Sequence, residues 1–281
     1  MKGQIAKGLA AGGAIRVVSV DATELARRTA QLHALSGASA QIAAEGTLAL
    51  CLLSAYIKGS ERISLQLQTE EPRLAFTGDF DAIGTFRARL TPSRLPPGTA
   101  EQMAGVMLVI KSDSQRELYR GATEVILESL SAAVQRHLQL STQVTGEAVL
   151  SVEMDDDEVA FAGGVWVERL PEDTSRPSID VEEFAARVRP LRELDARGLL
   201  TELAAGKLLD MAYEELDVQH VDWTCRCSRE RVAVMLQGLG PAEVRDMIET
   251  DGGAEVICHF CTTAYAFDEA DLQAMLPVSE S

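Results

Sequence analysis

The motif Cys225-Arg226-Cys227 is followed, after the segment Ser228–Ile257, by Cys258-His259-Phe260-Cys261. These two motifs decide how the C-terminal part of the chain folds. Four cysteine thiolates complete the tetrahedral shell of a Zn²⁺ ion and leave no open position for a substrate. Residues 223–281 contain little apolar material, and domains of this size often need a metal to fold. The sequence therefore predicts that Cys225, Cys227, Cys258 and Cys261 bind one Zn²⁺ per chain.

Two other chemistries fit the same four cysteines. They could form two thiol–disulfide pairs that bind metal only incidentally, or they could hold an iron–sulfur cluster. His259 lies inside the second motif, but four thiolates already fill the shell, so we interpret it as a polar residue of the turn. Three arginines near the first motif, Arg226, Arg229 and Arg231, would favour thiolate over thiol. Solvated arginines at the start of a helix explain them equally well.

The composition limits the class of protein. The chain has 281 residues, 46% of them apolar, and a net charge of −17. A length of roughly 150 residues per domain suggests about two domains, and this composition argues against wholesale disorder. Residues 1–150 are close to neutral, and the acidic excess falls in residues 151–281. Because nucleic acids and anionic membranes are polyanions, this balance argues against both as partners.

The compartment is predicted to be the cytoplasm. The uncharged stretch between Glu45 and Lys58 is shorter than the roughly 20 residues of a membrane-spanning helix, so it is predicted to be a buried helix. The N-terminus shows no secretory signal, and clustered cysteines in such a chain indicate metal or redox chemistry. The fifth cysteine, Cys51, lies alone in the apolar stretch and is interpreted as a small buried hydrophobic residue.

The first part of the chain mixes strand and helix patterns. Ile5–Leu9 and Ile15–Val20 flank Gly12-Gly13, which predicts a β-hairpin. Helices are predicted from Asp21 to about Leu35, over Ser39–Ile57 and over Thr123–Gln139. Further strands are predicted at Ile63–Gln68, Leu74–Phe80, Gly84–Leu90, Val106–Lys111, Ala148–Met154 and Val159–Val167. This mixture predicts an α+β fold with a mixed-sheet core domain.

The composition changes at Pro171–Pro177, which predicts a domain boundary. Beyond it, short charged helices are predicted at Val181–Val188, Leu191–Leu203 and Lys207–Leu216, and they must dock on a larger body or remain labile. In the tail, Ser228 and Asp268 are placed to cap helices, and Gly240-Pro241 to begin one. The predicted domains are thus an α+β core domain (1–170), an acidic helical linker (171–222) and a C-terminal zinc-binding domain (223–281).

The tail resembles one known family. Cys225–Arg231, Asp246–Glu249 and Asp251–Cys261 are similar to the heat-shock protein 33 kDa family of redox-regulated molecular chaperones, and the spacing of the cysteine motifs fits that family. A weaker likeness at Ile15-Arg16, Thr23–Leu25, Tyr56–Gly59 and Ala148–Met154 extends the resemblance over essentially the whole chain.

The resemblance implies that residues 1–170 form a core chaperone domain and residues 223–281 a zinc-binding redox-switch domain. It implies an ATP-independent holdase, not an enzyme, that is inactive while it is reduced and zinc-bound. On oxidation Cys225 would pair with Cys227 and Cys258 with Cys261, and the zinc would leave. The tail and then the linker would lose structure, and the exposed surface would bind unfolding client proteins and prevent their aggregation. The resemblance also implies a homodimer in the oxidised state.

Two other functions are open to the four cysteines. A zinc-ribbon-like binding module for nucleic acid would carry a basic face, but the tail is acidic and has no Lys after Lys207. A thiol–disulfide oxidoreductase would use Cys258 and Cys261 to reduce a disulfide substrate catalytically. The rest of the chain shows no recognisable nucleophile–base set, phosphate loop or carboxylate pair.

Overall fold

The structure is a computed structural model that describes residues 2–142, 145–171 and 177–276. Contacts between Cα atoms divide the chain into two units, Met1–Thr224 and Cys225–Ser281. The predicted boundary segment Pro171–Pro177 lies mostly outside the described residues.

The first unit is built on one large sheet. Its strands are β1 (Lys2–Ala10), β2 (Ile15–Asp21), β3 (Arg62–Glu70), β4 (Arg73–Asp81), β5 (Thr85–Thr91), β6 (Met103–Ser112), β7 (Glu117–Glu128), β8 (Gly146–Asp155), β9 (Glu158–Arg169), β10 (Lys207–Leu208) and β11 (Met211–Trp223). Its helices are α1 (Thr23–His33), α2 (Ala38–Leu53), α3 (Leu130–Thr142), α4 (Val181–Val188) and α5 (Ala196–Ala204), with 3₁₀ turns at Ala11–Gly13, Ser54–Tyr56, Thr99–Glu101 and Arg189–Glu193.

The described strands follow the order β7-β6-β3-β4-β5-β11-β1-β2-β9-β8, and β10 pairs with β11. Among these pairings only the short contact of β5 with β11 is parallel. The predicted α+β class with a mixed sheet is confirmed.

One face of the sheet carries the main core, which is centred on α2. Side chains of this helix from Ser39 to Leu53 are almost all buried. Gly46 permits a close approach, because a Cβ at this position would lie 2.5 Å from the Phe76 ring. The segment Ala38–Tyr56 is long and apolar enough to span a membrane, but 89% of its most apolar window is buried inside the structure. The segment is thus a core helix of this unit.

The opposite face of the sheet is covered by α4 and α5. Val18 and Trp166 belong to the main core, whereas their strand neighbours Val17 and Val165 belong to a second apolar cluster. Successive side chains on a strand point to opposite faces, so the second cluster lies on the other side of the sheet. The helical segments supply Phe184, Val188, Leu191, Leu199 and Leu203 to that cluster. Two of the three predicted linker helices are therefore present and docked.

Two of the helix predictions are wrong, one in part and one entirely. The first half of Thr123–Gln139 belongs to β7, and the helix α3 begins only at Leu130. The predicted helix Lys207–Leu216 is replaced by β10 and the start of β11. In both cases long-range strand pairing overrides local spacing, since β7 pairs with β6 and β11 pairs with β1 along most of their lengths.

The second unit is small and has its own core. It contains α6 (Arg229–Gly238), α7 (Pro241–Asp246), a π-helical turn at Met247–Asp251, β12 (Gly253–Ile257), β13 (Ala264–Asp268) and α8 (Glu269–Gln273). The two strands pair in an antiparallel hairpin. The fully packed apolar side chains are Val232, Leu236, Val244, Phe267 and Leu272. The predicted caps are confirmed, because the Ser228 side chain accepts from the Arg231 N–H and Asp268 forms a capping box with Asp271.

Candidate metal and redox centre

Two turns of the second unit carry the four clustered cysteines. Cys225 and Cys227 lie directly before the Ser228 cap of α6. Cys258 and Cys261 lie in the connection between β12 and β13. This connection is held by two backbone hydrogen bonds of 2.9 Å, in which Cys258 N–H donates to the Thr263 carbonyl and Thr262 N–H donates to the Cys258 carbonyl. The hairpin and the helix cap therefore fix the backbone that presents the four thiols.

The four sulfur atoms converge on one point. All lie within 4.8 Å of one another. The Sγ atoms of Cys225 and Cys258 are 3.6 Å apart, and those of Cys227 and Cys261 are 3.2 Å apart. Four sulfurs bound tetrahedrally at ~2.3 Å from a Zn²⁺ ion would be about 3.8 Å apart. The spacing of the cluster thus fits a single tetrahedral ion.

Two polar side chains from the hairpin contact the sulfurs. The Tyr265 hydroxyl donates to Cys227 Sγ over 3.1 Å, and the Thr263 hydroxyl lies 3.3 Å from Cys261 Sγ. Neither residue is predicted from the sequence as part of the site. The available signal was their position close after Cys261, with Thr263 two residues later in the turn and Tyr265 four residues later on β13.

The thiols differ in acidity. Burial, followed by the neighbouring thiols, raises the pKa of Cys227 to about 12, and burial also raises the pKa of Cys225. Burial opposes ionisation of Cys261 too, but hydrogen bonds with the side chain and backbone of Thr263 and with the Cys227 and Cys258 sulfurs together lower its pKa to about 6. Thiolates this close repel one another, so simultaneous ionisation of all four requires a bound cation.

The other residues considered from the sequence lie outside the four-cysteine cluster. Arg229 lies 4.3 Å over the Phe267 ring and binds Asp271, while Arg231 donates to the backbone carbonyl of Arg226. Arg229 therefore links α6 to the hairpin strand β13 and to α8, and Arg231 links the start of α6 to the first cysteine motif. His259 is exposed and does not belong to the four-cysteine group. Cys51 is fully buried in α2, where burial raises the pKa of its thiol, as expected for a small core residue.

Comparisons with known proteins agree with this architecture. The curated "33 kDa chaperonin" of Gloeobacter violaceus is 31% identical to this chain, with 98% of this chain and 96% of the relative aligned. The "33 kDa chaperonin" of Bacillus subtilis is 26% identical, with 96% of this chain and 97% of the relative aligned. The crystal structure of the 33 kDa chaperonin from Thermotoga maritima covers 97% of each chain with a TM-score of 0.78 at 20% identity, which shows a shared fold.

The sequence model of the Hsp33 protein family matches residues 3–268. This match includes the large sheet, the docked helices and all four clustered cysteines. The chain belongs to the Hsp33 family.

Proposed function

We propose that this chain is an ATP-independent holdase chaperone whose activity is switched on by oxidation of the four clustered cysteines. Its partners are unfolding client proteins, and it acts in the cytoplasm. The oxidised form is a homodimer, and neither nucleic acid nor membrane is a partner. The convergence of four thiols in a separate small unit of an Hsp33 family chain carries the proposal.

In the reduced state Cys225, Cys227, Cys258 and Cys261 hold one Zn²⁺. A bound zinc ion stabilises thiolates and contributes roughly 10–16 kcal/mol to the folding of small zinc-finger peptides at neutral pH. The second unit packs only a few apolar side chains, so its folding depends on that contribution.

Oxidation removes the ligands. Two thiolates, one peroxide molecule and two protons give one disulfide and two waters, so two peroxides convert all four thiolates to two disulfides. We propose the pairs Cys225–Cys227 and Cys258–Cys261. In the reduced cluster the sulfur pairs Cys225–Cys258, at 3.6 Å, and Cys227–Cys261, at 3.2 Å, each join different motifs. Disulfides between the two motifs would link the two turns covalently. Disulfides within each motif leave the turns free to separate, which suits a switch that acts by unfolding.

The linker helices α4 and α5 undock from the sheet once the second unit unfolds. β11 ends at Trp223, two residues before Cys225. The preceding helices α4 and α5 are too short to be stable alone and depend on packing against the sheet. Their release exposes apolar side chains such as Val17, Val165 and Val167. This surface is the proposed client-binding region.

Tyr265→Phe is expected to lower the zinc affinity by about tenfold, because the hydroxyl that donates to Cys227 Sγ would be lost. Competition with a chromophoric zinc chelator measures this change. Tyr119→Phe, which alters an exposed tyrosine of the first unit, is the matched control. Equal affinities of the wild type and Tyr265→Phe would exclude a role for this hydroxyl.

Light scattering of a thermally unfolding client tests the proposed activity. Without nucleotide, the oxidised protein should suppress aggregation at about one chain per client, and the reduced, zinc-loaded protein should not. Cys51→Ala should behave as the wild type, because this thiol is buried outside the cluster. Equal suppression by the reduced and oxidised forms would refute redox control, and catalytic reduction of a disulfide substrate would favour an oxidoreductase.

A further inference from the structure

β11 is held on the sheet mainly by its backbone. It spans Met211–Trp223 and pairs antiparallel with β1. In this strand, which the structure describes throughout, only Met211, Tyr213 and Val221 have buried side chains. Because packed cross-strand side chains supply much of the stability of a strand pair, β11 is weakly held.

The register shows that β11 fits β1 imperfectly. β1 pairs with β2 without interruption from Gln4 to Ala10, so β1 itself is regular there. Its pairing with β11 shifts between Lys7 and Gly8, and the extra residue is Leu216 of β11, which is 59% exposed. A bulge leaves the extra residue unpaired and locally disrupts the ladder. A strand without such a residue would pair continuously with β1.

The residues around the bulge are acidic. Glu214, Glu215 and Asp217 are all exposed. Lys7 of β1 lies opposite Asp217, whereas the two glutamates lie opposite uncharged residues of β1. Like charges this close along the chain repel one another, and one basic neighbour offsets only part of that repulsion. The charge pattern therefore makes the middle of β11 easier to displace.

Gly8 leaves a notch in β1 that takes an aromatic ring. A Cβ at this position would collide with the Tyr213 ring of β11 and with the Glu214 carbonyl. Tyr213 is 7% exposed and belongs to the second apolar cluster. The β1 edge therefore accepts an extended backbone and, at Gly8, a large apolar side chain.

The C-terminal end of β11 is held more firmly. Thr224 N–H donates to the Phe86 carbonyl at 2.8 Å, and Trp223 Nε1 donates to Thr29 Oγ1 at 3.0 Å. These contacts fix this end of the strand between β1 and β5. Displacement is therefore expected to begin at Met211 and to leave the main core intact.

We propose that, in the oxidised protein, an extended segment of an unfolding client replaces β11 along Gln4–Ala10 of β1, with an aromatic side chain over Gly8. This binding mode rests on the proposed redox-controlled function and specifies how the client is held. Unfolding proteins expose unpaired backbone and apolar side chains. An added strand binds both, because backbone hydrogen bonds supply affinity and a side-chain pocket supplies preference. In the reduced protein β11 occupies this edge as an internal competitor.

A labelled peptide that copies Met211–His220 without Leu216 probes the edge, because it lacks the bulge. Fluorescence anisotropy should show that it binds the oxidised full-length protein. Binding to the reduced, zinc-loaded protein should be at least about tenfold weaker, because the tethered β11 competes. Alanine in place of Tyr213 in the peptide should also weaken binding at least about tenfold, since the notch at Gly8 would stay empty.

N-methylation of the peptide separates backbone pairing from side-chain contact. Asp222 N–H donates to the Gly84 carbonyl at 2.9 Å, on the side of β11 away from β1. Successive N–H groups of a strand point to opposite edges, so that of Asp217 faces β1 and that of Val218 faces away. N-methylation at Asp217 should weaken binding at least about tenfold, whereas N-methylation at Val218 should change it by less than about threefold.

Two further measurements connect the peptide with the client. Amide hydrogen exchange of residues 4–10 should slow when the peptide binds, and saturating peptide should remove most of the client protection by the oxidised protein. Equal binding of the two methylated peptides, binding that leaves client protection unchanged, or no binding to an oxidised protein that protects clients would each overturn the strand replacement and leave the redox switch intact. An oxidised protein that protects no client would refute the proposed function, and this binding mode with it.

Discussion

Removal of zinc from the reduced protein by a chelator is expected to unfold residues 225–276 and to leave the sheet and main core of the first unit folded. The buried core of the second unit consists of Val232, Leu236, Val244, Phe267 and Leu272, while the α6 side chains Val234 and Met235 are more than half exposed. A core this small does not offset the conformational entropy of ordering the chain. Structural zinc contributes roughly 10–16 kcal/mol to the folding of zinc-finger peptides, so loss of the proposed zinc is expected to unfold this unit.

Limited trypsin digestion measures the effect. Cleavage at Arg229 and Arg245 should accelerate at least about a hundredfold after chelation, because both lie in the helices of the second unit. Cys261→Ser should show the same rapid cleavage without chelator, whereas Cys51→Ala should remain resistant. Continued protection of these sites after complete metal removal would show that the second unit folds without zinc.

Phe184→Ala is expected to switch on chaperone activity in the reduced, zinc-loaded protein. Phe184 is 1% exposed and is the largest fully buried side chain that α4 places on the sheet. Truncation of a buried Phe to Ala costs about 3–5 kcal/mol, which is large for the docking of an eight-residue helix. Undocking would uncover the apolar face that includes Val165 and Val167.

Hydrogen exchange in α4 and light scattering of an aggregating client measure the two consequences together. Val181→Ala, in the same helix but 50% exposed, should change neither. If Phe184→Ala undocks α4 and the reduced protein still fails to protect clients, the face beneath α4 is not the client-binding surface.

Most helices and strands could be predicted from the sequence because turns, caps and apolar spacing depend on residues close together in the chain. The Gly12-Gly13 hairpin, the buried helix after Ser39 and the Ser228 and Asp268 caps each depend on residues within a few positions of one another. The cysteine spacing predicted the cluster for a similar reason, since a tetrahedral shell requires four suitable ligands and the second unit supplies them from two short motifs.

The errors fell where distant residues decide the conformation. Lys207–Leu216 has an apolar spacing that suits a helix, yet β11 pairs with β1 from the other end of the unit. The segment Thr123–Leu130 begins as a strand and ends at the start of a helix, because its first part pairs with β6. The contacts of Tyr265 and Thr263 with the sulfurs likewise depend on the hairpin geometry, which spacing alone does not show.

A peroxide titration that follows zinc, free thiols and holdase activity per chain in parallel is the decisive test of the proposed redox switch. We expect one zinc to leave as four thiols are lost, client protection to appear in the same step, and the buried Cys51 thiol to remain. Full client protection with zinc still bound, or zinc release without any gain in protection, would contradict it.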